Sequence, residues 1–140
     1  MGSKASSKKV LLAVRPKDLP IVSAALGSEF DLIICHTVEE AQAQFSEHIG
    51  LIACGVRFSN DRLFDLLRAV KADPNTCRVP FYLILGEGSK YSEAILDGIR
   101  IAAEVLGSSG LVDLSRLEGE LGKAEAYRRL REIVREHLKD

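Results

Sequence analysis

Arg15, Lys17 and Arg57 are the side chains of this sequence best placed for chemistry on an anion, because each follows a short apolar run of the kind that forms a buried strand. Gathered at one crevice, they would make a small anion site, helped by the backbone amides of nearby helix ends. The plainer account is that Arg15 pairs with Asp113 and binds nothing. Cys54 lies one residue from the same crevice and invites a nucleophile reading, yet strand alternation turns it towards a helix layer. Cys35, Cys54 and Cys77 are odd in number and lack metal-ligand spacing, which fits reduced, packed thiols in a cytoplasmic protein. His36, His48 and His137 share no ligand spacing and read as surface residues. Asp18 reads as a helix cap, and Asp61 and Asp65 as solvated helix positions. Gly86, Gly88, Gly107 and Gly110 form no phosphate-loop or dinucleotide fingerprint and are explained by turns. No metal, cofactor or catalytic residue is expected.

Composition bounds the partners. The chain has 140 residues, a net charge of -1, 46% hydrophobic and 28% charged residues. That length is one domain's worth, here 9–140, after a small polar head, 1–8, read as disordered or an expression remnant. The near-neutral charge gives no bulk case for nucleic acid or an anionic membrane, and the apolar runs are too short to span a bilayer.

Five elements of strand type position these residues. The apolar runs 10–14, 30–35, 51–56, 79–85 and 111–114 alternate with segments of helical spacing. Asp18 caps the first helix, Gly27 ends it, and Pro20 is tolerated in its first turn. Thr37 and Glu40 form a capping box for a second helix, to about His48. Leu63, Leu66, Leu67 and Val70 face inward from a third. A fourth, 89–106, carries Ile95, Ile99, Ala102 and Leu106 on a stripe, and the remainder forms an amphipathic terminal helix with Tyr127, Leu130, Val134 and Leu138 on one side. Strands alternating with five helices predict an α/β, flavodoxin-like (βα)5 parallel sheet of order 2-1-3-4-5, with its crevice at the carboxyl ends of the strands.

Over essentially 9–138 the chain resembles the receiver domain of two-component response regulators, most tellingly in 66–80, where a third helix leads through Asp73-Pro74 to the proline-led strand at Val79-Pro80. The resemblance implies a phosphoacceptor aspartate at the end of strand three, Mg²⁺-binding acids after strand one, a Ser or Thr ending strand four and a lysine after strand five. Those positions fall on Gly55, on Val14 and Arg15, on Leu85, and on Leu114, or on Asp113 if the register slips by one. The switch aromatic of strand five falls on Leu111. Phosphoryl transfer is positioning and charge neutralisation, and Mg²⁺ needs oxygen ligands; Gly55 offers no nucleophile, Val14 no ligand, and Arg15 would repel the metal or stand in for its charge.

The expectation is therefore a degenerate pseudo-receiver, not an enzyme, that works by protein contact in bacterial signalling. The family's usual contact face, helix four with strand five and helix five, implies Leu111, Tyr127 and Arg131 as interface candidates and a homodimer through that face. The alternative is a small-ligand or enzymatic flavodoxin-like domain using Arg15, Lys17 and Arg57.

Overall fold

A strand covered on both faces needs apolar side chains at every position, because successive residues point to opposite sides. In the computed structural model, which describes residues 8–59, 62–86 and 91–138, such runs form one five-stranded sheet. Its strands are β1 (Lys9–Ala13), β2 (Leu32–Cys35), β3 (Ile49–Gly55), β4 (Phe81–Leu85) and β5 (Gly110–Asp113). All pair in parallel in the order β2-β1-β3-β4-β5, the predicted topology. The helices are α1 (Leu19–Leu26), α2 (Val38–Ala43), α3 (Leu63–Ala72), α4 (Glu93–Val105), α5 (Leu114–Leu121) and α6 (Lys123–Leu138).

Alternation divides the core in two. Leu11, Ala13, Ile52, Cys54, Phe81 and Leu83 pack with α2, α3 and α4, while Val10, Leu12, Leu51, Ala53 and Ile84 pack with α1 and α6. Each fully buried Leu or Ile contributes about 2 kcal/mol. The apolar faces of α3 (Leu63, Leu66, Leu67, Val70) and α6 (Ala126, Leu130, Val134, Leu138) close the two layers. α6 is also tied to α1 by charge. Arg131 donates to the Ala25 carbonyl at 3.0 Å, and Arg135 grips Glu29 with two bonds of 2.6 and 2.8 Å. That hydrogen bond from Arg135 holds the Glu29 carboxyl below its ordinary range.

The structure departs from the predicted elements at several points. α2 stops at Ala43 instead of near His48, because the amides of Gln44 and Phe45 turn back three residues to Ala41 and Gln42 and let β3 start at Ile49. The terminal segment holds two helices, making six among the described residues. Gly122, at φ +86° and ψ 159°, breaks them in a conformation that essentially only glycine adopts. The stripe drawn on the fourth helix straddles two faces: Ile99 and Leu106 pack inward beside buried Ala103, whereas Ile95 and Ala102 are exposed. Gly50 is set by crowding, since a Cβ there would lie 2.6 Å from Leu138 Cδ2 and 2.7 Å from Lys8 Cβ. The head at 1–7, Asp61, Gly88 and Ser89 lie outside the described residues.

Candidate functional site at the strand ends

Among the described residues, apolar side chains are buried at the carboxyl ends of the strands. Ala13 pairs with Cys54 and Gly55 with Ile84, so the next residue of the first run, Val14, comes beside Gly55. A Cβ built on Gly55 would meet Val14 Cγ1 at 3.5 Å, ordinary van der Waals contact. Val14, Val56, Phe58, Leu85 and Leu114 are all buried around these strand ends. The chain then leaves β3 by a tight turn, with the Phe58 amide donating to the Gly55 carbonyl at 3.0 Å. Ser59 follows at φ +47°, the one non-glycine residue with positive φ among the described residues.

The basic residues do not converge as one unpaired cluster. Arg15 holds Asp18 through two hydrogen bonds, Nε to Oδ2 at 2.7 Å and Nη2 to Oδ1 at 3.0 Å. Asp18 is accordingly no side-chain cap of α1, which corrects the sequence reading: its carboxylate is engaged by the guanidinium three residues back. Asp113 does not serve Arg15 either. It accepts from the Arg116 amide at 3.0 Å and caps α5, so Leu114 opens a helix where the sequence was read as ending a strand. An aspartate directly before Leu-Ser-Arg-Leu-Glu was the available signal for that cap. Arg57 lies 5.7 Å above the Tyr91 ring in a cation–π contact, and Lys17 is exposed.

His36 is more involved than a surface residue would be. Its Nδ1 lies 2.7 Å from the Val14 carbonyl, so that nitrogen carries the proton and donates. The amide of His36 donates to Glu40 Oε1 at 2.8 Å, while the Glu40 amide donates to Thr37 Oγ1 at 3.0 Å. The predicted capping box is thus half formed, with the carboxylate reaching one residue further back than Thr37. His137, at the far end of α6, meets the Tyr82 hydroxyl at 2.8 Å.

Cys54 is fully buried on the α3 side of the sheet, and burial pushes its thiol well above the ordinary range. Cys35 is raised to about 11, by burial first and by Glu40 second. Neither is poised as a nucleophile. No three His, Cys, Asp or Glu side chains come together as a metal site among the described residues.

The interface candidates are dispersed. Leu111 lines a groove of about 1110 Å³ beside β5, walled by α4 (Asp97, Arg100), α5 (Arg116, Leu117) and α6 (Ile133). Tyr127 packs on the α1–α6 layer of the core, and Arg131 is committed to the end of α1.

No family model matches the chain, and a search of curated proteins finds no match to its sequence. Solved structures are similar in shape. A response regulator receiver domain from Rhodospirillum rubrum superposes with a TM-score of 0.69 at 13% identity, covering 94% of this chain and 99% of its own. The phosphorylated cyanobacterial phytochrome response regulator RcpA gives 0.66 at 17% identity over 91% of both chains. The chemotaxis response regulator CheY4 of Vibrio cholerae gives 0.62 at 15% identity, over 91% of this chain and 98% of its own. At such identities the likeness shows the fold: this chain has the receiver fold.

Proposed function

We propose that the chain is a phosphorylation-independent receiver-like module that acts by protein contact in two-component signalling, in the cytoplasm and without enzymatic activity of its own. The observation that carries the reading is the packing of Val14 against Gly55, with Leu85 and Leu114 buried nearby, at the strand ends where the receiver resemblance calls for acids, a hydroxyl and a lysine. A phosphoryl group transferred there would need a nucleophile and charge neutralisation, and hydrocarbon supplies neither. Arg15, the nearest cation by sequence, is already matched by Asp18. The groove along β5, where apolar Leu111, Leu117 and Ile133 sit among Asp97, Arg100 and Arg116, is the surface on which a protein partner would dock. Free Cys35, Cys54 and Cys77 fit a reducing compartment.

The test is incubation with acetyl phosphate and Mg²⁺, read by intact mass. An unchanged mass is expected. A phosphoryl adduct that is stable under mild conditions and lost at alkaline pH would overturn the reading. Binding of an anionic metabolite that disappears in Arg15→Ala would favour the basic-crevice alternative instead.

A further inference from the structure

β2 is an edge strand whose free side carries unpaired backbone. The Val10 amide donates to the Asp31 carbonyl at 2.9 Å and the Val14 amide to the Cys35 carbonyl at 3.1 Å, so the odd-numbered residues of this strand turn their backbone groups to β1. Alternation turns the N–H and C=O of Leu32 and Ile34 the other way, where the sheet has no further strand. The row closes at His36, whose outward amide is taken by Glu40 Oε1 at 2.8 Å.

Edges of this kind are normally guarded by lysine, proline, a bulge or an inward charge. Leu32-Ile33-Ile34-Cys35 has none of these, and its register with β1 is regular. Ile34 shares the α1 side of the sheet with Leu32, and α1 leaves it 44% exposed. The other edge strand, β5, ends instead in Asp113 and is walled by charged residues of α4, α5 and α6.

The free groups of β2 match themselves. When two copies pair antiparallel about a two-fold axis at Ile33, Leu32 of each exchanges both backbone bonds with Ile34 of the other, and every free donor and acceptor of the row is used. The flanking pairs are then Asp31 with Cys35, Phe30 with His36 and Glu29 with Thr37, so no like charges are opposed. An axis at Ile34 would oppose Glu29 to Glu39 and need the His36 amide that Glu40 already holds. An axis at Leu32 would pair Ile34 with Phe30, which lies outside the strand.

We infer that β2 is a docking edge for a second copy of this chain, added antiparallel so that the two sheets join into one. Ile34 then packs against Leu32 of the second copy, which covers the exposed side chain. The contact lies at the edge of the sheet opposite α4 and β5, apart from both the β5 groove and the strand ends. So short a contact gives a weak, concentration-dependent dimer. The inference does not depend on whether the strand ends accept phosphate.

Sedimentation of the full chain over a roughly hundredfold concentration range tests it. The expected result is a mass that rises from 15.3 kDa towards twice that value. Over the same range amide exchange should slow about tenfold at Leu32 and Ile34 and stay unchanged at Ile33 and Cys35, which already face β1. Ile34→Lys and Ile34→Pro should each leave the chain monomeric with an unchanged circular dichroism spectrum; the proline removes an outward N–H that β1 does not use. In a Cys77→Ser background, Ile33→Cys should give a disulfide between copies on oxidation, since residues opposed in a non-hydrogen-bonded pair lie about 4.5 Å apart. Cys77→Ser alone should give none, because Cys35 is opposed by Asp31. A mass of 15.3 kDa at every concentration would overturn the inference and leave the edge to a strand of a different protein. A dimer that survives both Ile34 variants and gives no disulfide in Ile33→Cys would overturn it equally, by placing the contact elsewhere.

Discussion

Gly55 decides what the crevice can hold. Its backbone does not need glycine, because no positive φ is involved, and the space admits a Cβ at 3.5 Å from Val14 Cγ1. A carboxylate would therefore fit sterically while finding hydrocarbon around it and Arg15 engaged with Asp18. Gly55→Asp should cost about 3 kcal/mol at neutral pH. Burial would raise the introduced carboxyl's pKa, so the folded chain is favoured while that group is protonated and the loss appears as pH rises; urea unfolding at acid and at neutral pH should show this difference. The same variant should gain no phosphoryl mass from acetyl phosphate, and equal stability at both pH values would contradict the apolar account. The thiols give a second test. At about pH 8 iodoacetamide should label half-exposed Cys77 and spare Cys35 and Cys54 until denaturant is added, as read by mass spectrometry. The folded-state pKa of Cys35 is raised, so its contribution to stability is complete below the ordinary thiol value of 9.0 and declines as pH climbs through about 11. The meeting of Val14 with Gly55 was legible in the sequence, because apolar runs fix the strands and parallel pairing brings their ends level. The partner of Arg15 was not: Asp113 stood at a helix start that the sequence reading missed, and Asp18 was claimed as a cap. Ion pairing among short-range alternatives depends on turn geometry that periodicity does not carry.

At the scale of elements, the five strands and the inward faces of α3 and α6 follow directly from residue spacing. The ends of helices do not, because backbone groups there choose among nearby partners of similar energy. Thr37 and Glu40 announced α2 correctly, and nothing comparable marked its end at Ala43. The break between α5 and α6 was the largest omission. The segment after the last strand reads as one amphipathic helix on the spacing of Tyr127, Leu130, Val134 and Leu138, and that spacing hides a glycine whose role appears only in its dihedral angles, φ +86° and ψ 159°. Gly122→Ala should cost about 2 kcal/mol in thermal or chemical unfolding, through strain at that angle pair. A variant as stable as the parent would mean that α5 and α6 can fuse without losing the Asp113 cap or the α6–α1 contacts.

Across the whole molecule, stability should be unevenly spread. β1 and β3 are central, buried on both faces and paired on both edges, whereas α4 is held by one fully buried residue and three partly buried ones. In dilute protein, amide hydrogen exchange in α4 should run at least about a hundredfold faster than in β1 and β3. Exchange in α4 as slow as in the central strands would show that the helix is anchored better than its burial implies. Gly50 has a further consequence on this scale. It is small because Lys8 and Leu138 converge on it, so the first and last stretches of the described chain meet at the start of β3, five residues away from Gly55. Lys8 and Leu138 thus lie at the end of the sheet opposite the crevice. A domain arranged in this way can be spliced into a surface loop of a host protein, or joined head to tail and reopened elsewhere, without a linker crossing its strand ends.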